Sequence, residues 1–129
     1  MRRVLYVEDD AINALVVKKL LEREFDVTNV DDGEACLRLI KNEKFDIILM
    51  DINLGRGKMD GVETMKQIKL IKAYSSTPVI AVTSYAMPGD RRRFLKEGFD
   101  FYFEKPIERH ALISQINWFL DKSALDSRA

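Results

Sequence analysis

The segment Asp46–Met50, which is apolar at every position after Asp46, constrains the fold more than any other part of this sequence. An apolar run of this kind is typical of a strand that is covered on both faces, and such strands belong to parallel sheets. Pro78–Val82 is a second run of the same kind. The sequence therefore predicts a parallel sheet whose central strands are buried.

Short apolar runs alternate with longer amphipathic segments along the whole chain. The predicted strands are Val4–Val7, Asp26–Val30, Asp46–Met50, Pro78–Val82 and Asp100–Phe103. The predicted helices are residues 11–24, Asp32–Asn42, Gly61–Ala73, Met87–Glu97 and Ile107–Asp121. Strands and helices in regular alternation predict one α/β domain with helices on both faces of a parallel sheet. We expect this domain to span residues 1–122 and to be followed by a short polar tail, residues 123–129.

Helical spacing also predicts which side chains the helices bury. In the first helix the apolar stripe consists of Ile12, Leu15, Val16 and Leu20, interrupted by Lys19, and Asp10 is placed to cap it. In the third helix the residues available for burial are Val62, Met65, Ile68 and Leu70. Pro88 is expected in the first turn of the fourth helix, and Gly98 at its end.

Composition excludes several functional classes. The chain has 129 residues, with 21 basic and 21 acidic side chains and a formal net charge of zero, so no long-range attraction to nucleic acid or anionic membrane is expected. Cys36 is the one cysteine and cannot form an internal disulfide. Without a signal peptide pattern or an apolar run near the ~20 residues of a membrane span, a reducing cytoplasm is the expected location. Arg91–Arg93 are adjacent on a helix and point in different directions, so we expect them to face solvent or a partner protein rather than DNA.

Polar residues follow four of the predicted strands. Glu8 and Asp9 come after the first, Asp51 after the third, Thr83 after the fourth, and Lys105 shortly after the fifth. In open parallel sheets the functional groups lie at the carboxyl ends of the strands. Carboxylates at short range repel one another, and a cluster of them usually holds a cation or has raised pKa values. Because the ligands are oxygens, Mg2+ is the expected cation, and with Lys105 it would neutralise the cluster.

Several short stretches, in this order and at these spacings, resemble the receiver domain of two-component response regulators. The matching stretches are Val4–Asp10, Asp46–Leu54, Met59–Gly61, Pro78–Ser84 and Tyr102–Pro106. The resemblance runs from Val4 to about Leu120. It implies a flavodoxin-like fold with five parallel strands in the order 2-1-3-4-5. It also implies a signalling switch that receives a phosphoryl group from a histidine kinase or a histidine phosphotransfer protein.

The resemblance assigns roles at the acidic cluster. Asp51 corresponds to the phosphoacceptor, and Glu8 and Asp9 to the acidic pair that holds Mg2+ with Asp51. The backbone carbonyl of Asn53 would be a further metal ligand. Lys105 would pair with the acceptor and then with the phosphoryl group. Phosphoryl transfer needs in-line placement and neutralisation of charge, which these groups would supply.

The resemblance further implies a switch. Thr83 corresponds to the hydroxyl that moves to bond the phosphoryl oxygen, and Tyr102 to the aromatic ring that follows it. Lys105–Pro106 is expected to be a cis peptide. Phosphorylation adds charge and acceptor oxygens at Asp51, which would bias this two-state element. The signal is then expected to reach a downstream effector through the face made by the fourth helix, the fifth strand and the fifth helix.

Two features depart from the family pattern. The loop after Asp51 is longer than usual and lacks the common proline, and it carries Arg56 and Lys58, which we expect to be solvated. Ser84 stands where many members have Ala or Gly, and there it is expected to alter the access of water to the phosphoryl group.

Alternative functions stay open at this point. An aspartate-nucleophile phosphatase would need a second Asp where this chain has Asn53, and a cap domain for which 129 residues leave no room. A receiver-like module that is never phosphorylated is disfavoured by the complete set of polar residues. The stretches Asp10–Asn13 and Ser84–Asp90 are more similar to receivers of hybrid histidine kinases than to those of transcription factors, so the chain could be such a module.

Overall fold

The computed structural model describes residues 1–53, 59–84 and 86–128. The strands are β1 (Arg3–Val7), β2 (Asp26–Val30), β3 (Ile47–Asp51), β4 (Val79–Thr83) and β5 (Phe101–Glu104). The helices are α1 (Ala11–Leu21), α2 (Gly33–Ile40), α3 (Gly61–Leu70), α4 (Asp90–Glu97) and α5 (Arg109–Arg128). A 3-10 turn, Lys72–Tyr74, follows α3.

All neighbouring strands pair in parallel, in the order β2-β1-β3-β4-β5, which confirms the predicted fold. Every residue of β3 and β4 is buried, as expected for strands covered on both faces. Val7 is in register with Met50, and Asp51 with Val82. The carboxyl ends of β1, β3 and β4 therefore lie side by side at one edge.

The sheet separates two apolar cores. One lies under α2, α3 and α4 and contains Cys36, Met65, Phe94 and Tyr102. The other lies under α1 and α5 and contains Tyr6. Alternation along β1 sends Leu5 and Val7 into the first core and Val4 and Tyr6 into the second. Cys36 is fully buried, and burial raises the pKa of its thiol to about 12.

Capping and close packing fix the helices that border the predicted site. Asp10, Asp32 and Asp60 each accept a hydrogen bond at the start of α1, α2 and α3, respectively. A Cβ atom on Gly61 would lie 2.6 Å from the carbonyl oxygen of Asp51, so only glycine lets α3 begin this close to the end of β3.

The predicted apolar stripe of α1 is wrong for three of its four members. Ile12, Leu15 and Val16 are exposed, with 75%, 56% and 51% of their surface accessible, and the buried side chains are instead Ala14, Val17 and Leu21. The helix carries two apolar stripes, and the one that packs on the core is the stripe of Ala14, Val17 and Leu21. Spacing alone does not distinguish them.

Three further helix predictions are corrected. Leu70 is 78% exposed because α3 ends there, and the chain turns into the 3-10 segment. Helix α4 begins at Asp90 rather than at Met87, because Gly89 adopts a left-handed conformation (φ 86°) and the Asp90 carboxylate accepts from the Met87 N–H. Helix α5 continues to Arg128 rather than ending at Asp121. Gly98, at φ 129°, ends α4 as predicted.

Candidate functional site

Three acidic side chains converge at the carboxyl edge of the sheet. Glu8 and Asp9 follow β1 and Asp51 ends β3, and each offers an oxygen within 4.8 Å of the others. Glu8 and Asp51 are only 1% and 4% exposed, whereas Asp9 is open to solvent. The cluster is therefore a nearly buried carboxylate pair with its third member at the rim.

Lys105 lies against the two buried carboxylates. Its Nζ donates to Glu8 Oε1 at 2.5 Å and lies 3.6 Å from Asp51 Oδ2. Its backbone N–H donates to the carbonyl of Thr83, and its peptide bond to Pro106 is cis, as predicted. The sequence led us to expect Asp51 as the partner of Lys105, but the ammonium group lies closer to Glu8.

The electrostatics of Glu8 reflect this crowding. Burial, and then a hydrogen bond shared with the Asp51 side chain, raise the pKa of Glu8, while the bond from Lys105 opposes the rise. One nearby cation thus compensates the three carboxylates only in part. The donor atoms of the cluster are all carboxylate oxygens, which suit a hard divalent cation such as Mg2+ and not a soft metal.

Asn53 connects Asp51 to Thr83. Its backbone N–H donates to Asp51 Oδ1 at 3.0 Å, and its side-chain amide donates to Thr83 Oγ1 at 3.0 Å. The sequence predicted a role for Asn53 only through its carbonyl group and did not predict the contact of its side chain with the Thr83 hydroxyl. A polar side chain two residues after the end of one strand, facing the end of the next, is the pattern that could have indicated it.

Tyr102 lies on β5 with its ring turned inward. It is 4% exposed and stacks on Phe94 of α4, with ring centroids 5.9 Å apart and an interplanar angle of 16°. Its hydroxyl is buried and has no hydrogen-bond partner in the part of the chain that the structure describes. Burial and the negative charge of Asp90 raise its pKa. An open cavity of about 350 Å3 lies between Thr83 and α4.

A second contact that the sequence did not predict involves Tyr6. Its hydroxyl donates to Glu8 Oε1 at 3.0 Å, and its side chain is fully buried. Glu8 directly follows β1, and its N–H still pairs with the Val30 carbonyl of β2, so the alternation of the strand places its side chain on the same face as that of Tyr6. That spacing could have indicated the contact.

The remaining predicted positions lie at the periphery or outside the described residues. Ser84 is exposed. Arg91 lies over the ring of Phe101, at 4.7 Å from its centroid. Arg93 lies over Phe94 at 4.4 Å. The longer loop with Arg56 and Lys58 lies outside the described residues.

An exposed apolar surface borders the acidic cluster. Ile12, Leu15 and Val16 on α1 form it, and beside it a groove of about 250 Å3 lies between α1 and the β5–α5 loop. The groove reaches Lys105 at its inner end. Among the described residues, no helix is both long and apolar enough to cross a lipid bilayer.

Comparison with known proteins gives relatives of two kinds. The chain is similar to the sensor protein GacS of Pseudomonas syringae pv. syringae, with 37% identity over 85% of this chain and 12% of that protein. It is 36% identical, over 99% of its length, to hybrid signal transduction histidine kinase I of Dictyostelium discoideum, of which it spans 8%. It is also 33% identical to the polar-differentiation response regulator DivK of Brucella anthropi, over 92% of this chain and 96% of that protein.

A solved structure and a family model agree with these relatives. The receiver domain of the sensor histidine kinase PA1611 from Pseudomonas aeruginosa PAO1, which has a magnesium ion coordinated in its active site cleft, superposes with a TM-score of 0.83. That match has 30% identity and covers 93% of this chain and 98% of that one. The model of the response regulator receiver domain matches residues 4–117. The chain therefore belongs to the response regulator receiver domain family, the phosphoacceptor domains of two-component signalling.

Proposed function

We propose that Asp51 accepts the phosphoryl group, from a histidine kinase or a histidine phosphotransfer protein, and that Glu8, Asp9, Asp51 and the Asn53 carbonyl hold Mg2+ for the transfer. The observation that carries this proposal is the convergence of three carboxylates and Lys105 at one edge of the sheet. The arrangement combines a nucleophilic carboxylate with a cation-binding cluster, which is what phosphoryl transfer needs.

The transfer makes one bond and breaks one. A carboxylate oxygen of Asp51 attacks phosphorus, and the bond from phosphorus to the donor's imidazole nitrogen breaks. The Asn53 N–H holds Oδ1 of Asp51, and Oδ2 faces Lys105. Bound Mg2+ supplies neutralisation of the charge on the transferring oxygens. Lys105 turns from Glu8 toward the phosphoryl group, and the Thr83 hydroxyl donates to it.

The donor reaches this site over α1. Ile12, Leu15 and Val16 lie on the helix that directly follows Glu8 and Asp9, and they are exposed. A partner whose own apolar surface surrounds its histidine would bury these side chains and bring the histidine to Asp51. Because isolated exposed apolar residues are common, the support here is their grouping beside the cluster.

The signal leaves through the face made by α4, β5 and α5. When Thr83 turns to the phosphoryl group it gives up its bond from Asn53. The Tyr102 ring already lies inward before phosphorylation, so the space that Thr83 leaves would stabilise this inward position rather than create it. The outer surface of this face carries Arg91 over Phe101, together with the exposed Trp118. An effector that binds one ring position better shifts the equilibrium by that difference in affinity.

The alternatives are weaker. Asn53 cannot act as the general acid that an aspartate-nucleophile phosphatase needs, so the domain is expected to release its phosphoryl group slowly rather than turn over substrate. A role within a hybrid histidine kinase uses the same site in the same way, and the two kinds of relatives fit both settings.

Binding of beryllofluoride with Mg2+, followed by fluorine NMR, tests the acceptor. The wild type should bind, and Asp51→Asn should not. Asp10→Asn is the matched control, because Asp10 caps α1 one residue beyond the acidic pair and asparagine caps equally well. Binding by Asp51→Asn equal to that of the wild type would refute the assignment.

Two further measurements test the ligand set and the output face. Asp9→Asn should weaken Mg2+ binding in an NMR titration, and an unchanged affinity would remove Asp9 from the ligand set. Amide shift changes on beryllofluoride binding should extend to residues 86–97 and 100–112. Changes confined to the loops around Asp51 would rule out the output mechanism and leave the acceptor assignment intact.

A further inference from the structure

We propose that Tyr6 is a positioning residue for the metal site, and that its hydroxyl holds the Glu8 carboxylate in the orientation that binds Mg2+. The inference rests on the proposed function, in which Glu8 is a metal ligand. Tyr6 lies in the middle of β1 and is fully buried in the core under α1 and α5. Its hydroxyl reaches up to the edge of the sheet and donates to Glu8 Oε1 at 3.0 Å.

The two oxygens of Glu8 have unequal surroundings. Oε1 accepts hydrogen bonds from both Tyr6 and Lys105, whereas the one donor to Oε2 among the described residues is the Asp10 N–H, at a long 3.5 Å. The Asp51 carboxyl group also lies against Glu8, and it brings a further ligand oxygen rather than a competing cation. Oε2 is therefore the oxygen left for a cation. Fixing Oε1 orients Oε2, as a hydrogen bond behind a metal ligand commonly does.

Tyr6 and Lys105 differ in what they do during the reaction. Lys105 carries a charge and is the group that turns to the phosphoryl oxygens, so its bond to Glu8 is temporary. The Tyr6 hydroxyl is neutral, and its position on a central strand is fixed. It keeps Glu8 in place after Lys105 leaves and adds no charge that would repel Mg2+.

Packing alone does not explain the hydroxyl. A phenylalanine ring would fill the same apolar space, and a buried hydroxyl has a cost unless it is hydrogen-bonded. The one described acceptor of this donor is the carboxylate assigned to the metal.

The test compares Tyr6→Phe with the wild type in an NMR titration with Mg2+ alone, beside melting temperatures measured in EDTA. We expect the Mg2+ dissociation constant to rise about 10-fold, which is the lower end of the effect seen when a hydrogen bond to a metal-ligating side chain is lost. Tyr74→Phe is the matched control. Its hydroxyl is also bonded, but to Glu43 at the opposite edge of the sheet, so it should leave Mg2+ affinity unchanged.

A double-mutant cycle separates positioning from general loosening of the fold. Glu8→Asp shortens the side chain and withdraws the carboxylate from the Tyr6 hydroxyl, so Tyr6→Phe should have no further effect on Mg2+ affinity in that background. A dissociation constant for Tyr6→Phe within twofold of the wild type would overturn the inference. So would equal weakening in Tyr74→Phe or in the Glu8→Asp background. If the wild type binds no Mg2+, the proposed function fails together with this inference.

Discussion

Replacing Tyr102 by phenylalanine should make the unphosphorylated protein more stable. The hydroxyl of Tyr102 is buried and has no hydrogen-bond partner among the described residues, while its ring packs on Phe94. The substitution keeps the ring and removes only the oxygen. In the unfolded chain the hydroxyl is hydrated, so the wild type loses those bonds on folding and gains none in return.

The magnitude follows from the cost of an unsatisfied polar group. A buried donor without a partner costs about 1–3 kcal/mol, and the oxygen leaves a void smaller than a methyl group, which takes back part of the gain. We therefore expect the free energy of unfolding to rise by about 1 kcal/mol and Tm by about 4 °C.

Urea denaturation followed by circular dichroism measures the change in the free energy of unfolding. Tyr74→Phe is the comparison, because its hydroxyl is hydrogen-bonded and its removal should lower stability. The Tyr74 hydroxyl donates to the Glu43 carbonyl at 2.7 Å and accepts from the Phe45 N–H at 3.1 Å. Its loss should destabilise the fold by about 1–3 kcal/mol, since it leaves the buried N–H group of Phe45 without its acceptor. If Tyr102→Phe lowered stability as much as Tyr74→Phe does, the Tyr102 hydroxyl would have to be bonded in solution, and the reasoning would be refuted.

Three other changes have defined outcomes. Gly61→Ala should lower the free energy of unfolding by about 1–3 kcal/mol and weaken beryllofluoride binding, because the new Cβ atom collides with the Asp51 carbonyl oxygen. An unchanged Tm would contradict this expectation. Asp100→Ala should lower the free energy of unfolding, measured in urea, by about 1–3 kcal/mol, because the carboxylate accepts a hydrogen bond from the buried Val79 N–H at 2.8 Å. A decrease below about 0.5 kcal/mol, which is typical of surface substitutions, would count against that bond. In EDTA, the free energy of unfolding should fall as pH rises above the ordinary glutamate pKa, because the raised pKa of Glu8 lets the native state bind more protons there than the unfolded chain does. Glu8→Gln should flatten this dependence of stability on pH. If the dependence is unchanged in the variant, it does not come from Glu8.

The sequence predicted the sheet well because its central strands leave little choice. Asp46–Met50 is apolar after its first residue and Pro78–Val82 is apolar throughout, and the structure buries β3 and β4 completely. The strand order came from the family resemblance rather than from periodicity. Helix α1 shows the limit of periodicity, since two apolar stripes compete and only the packing of Leu21 into the core selects one.

For the site, the sequence predicted which residues lie close together. Glu8, Asp9 and Asp51 converge because parallel strands end at one edge. Side-chain pairing was not predictable in the same way. Lys105 contacts Glu8 more closely than Asp51, because the longer Glu8 side chain extends farther from its strand, and the bonds from Tyr6 and Asn53 depend on rotamers that spacing does not determine.

The burial of Cys36 has a practical consequence for following this protein in solution. Thiol reagents attack the thiolate, and the native side chain is both inaccessible and held protonated, with a pKa near 12. Labelling of the native thiol therefore requires α2 to open, and its rate measures how often that happens. Because Cys36 is the sole cysteine, a second one introduced on the exposed side of α1 would react selectively. A fluorophore can then be placed beside the exposed apolar surface of Ile12, Leu15 and Val16 without removing the native residue.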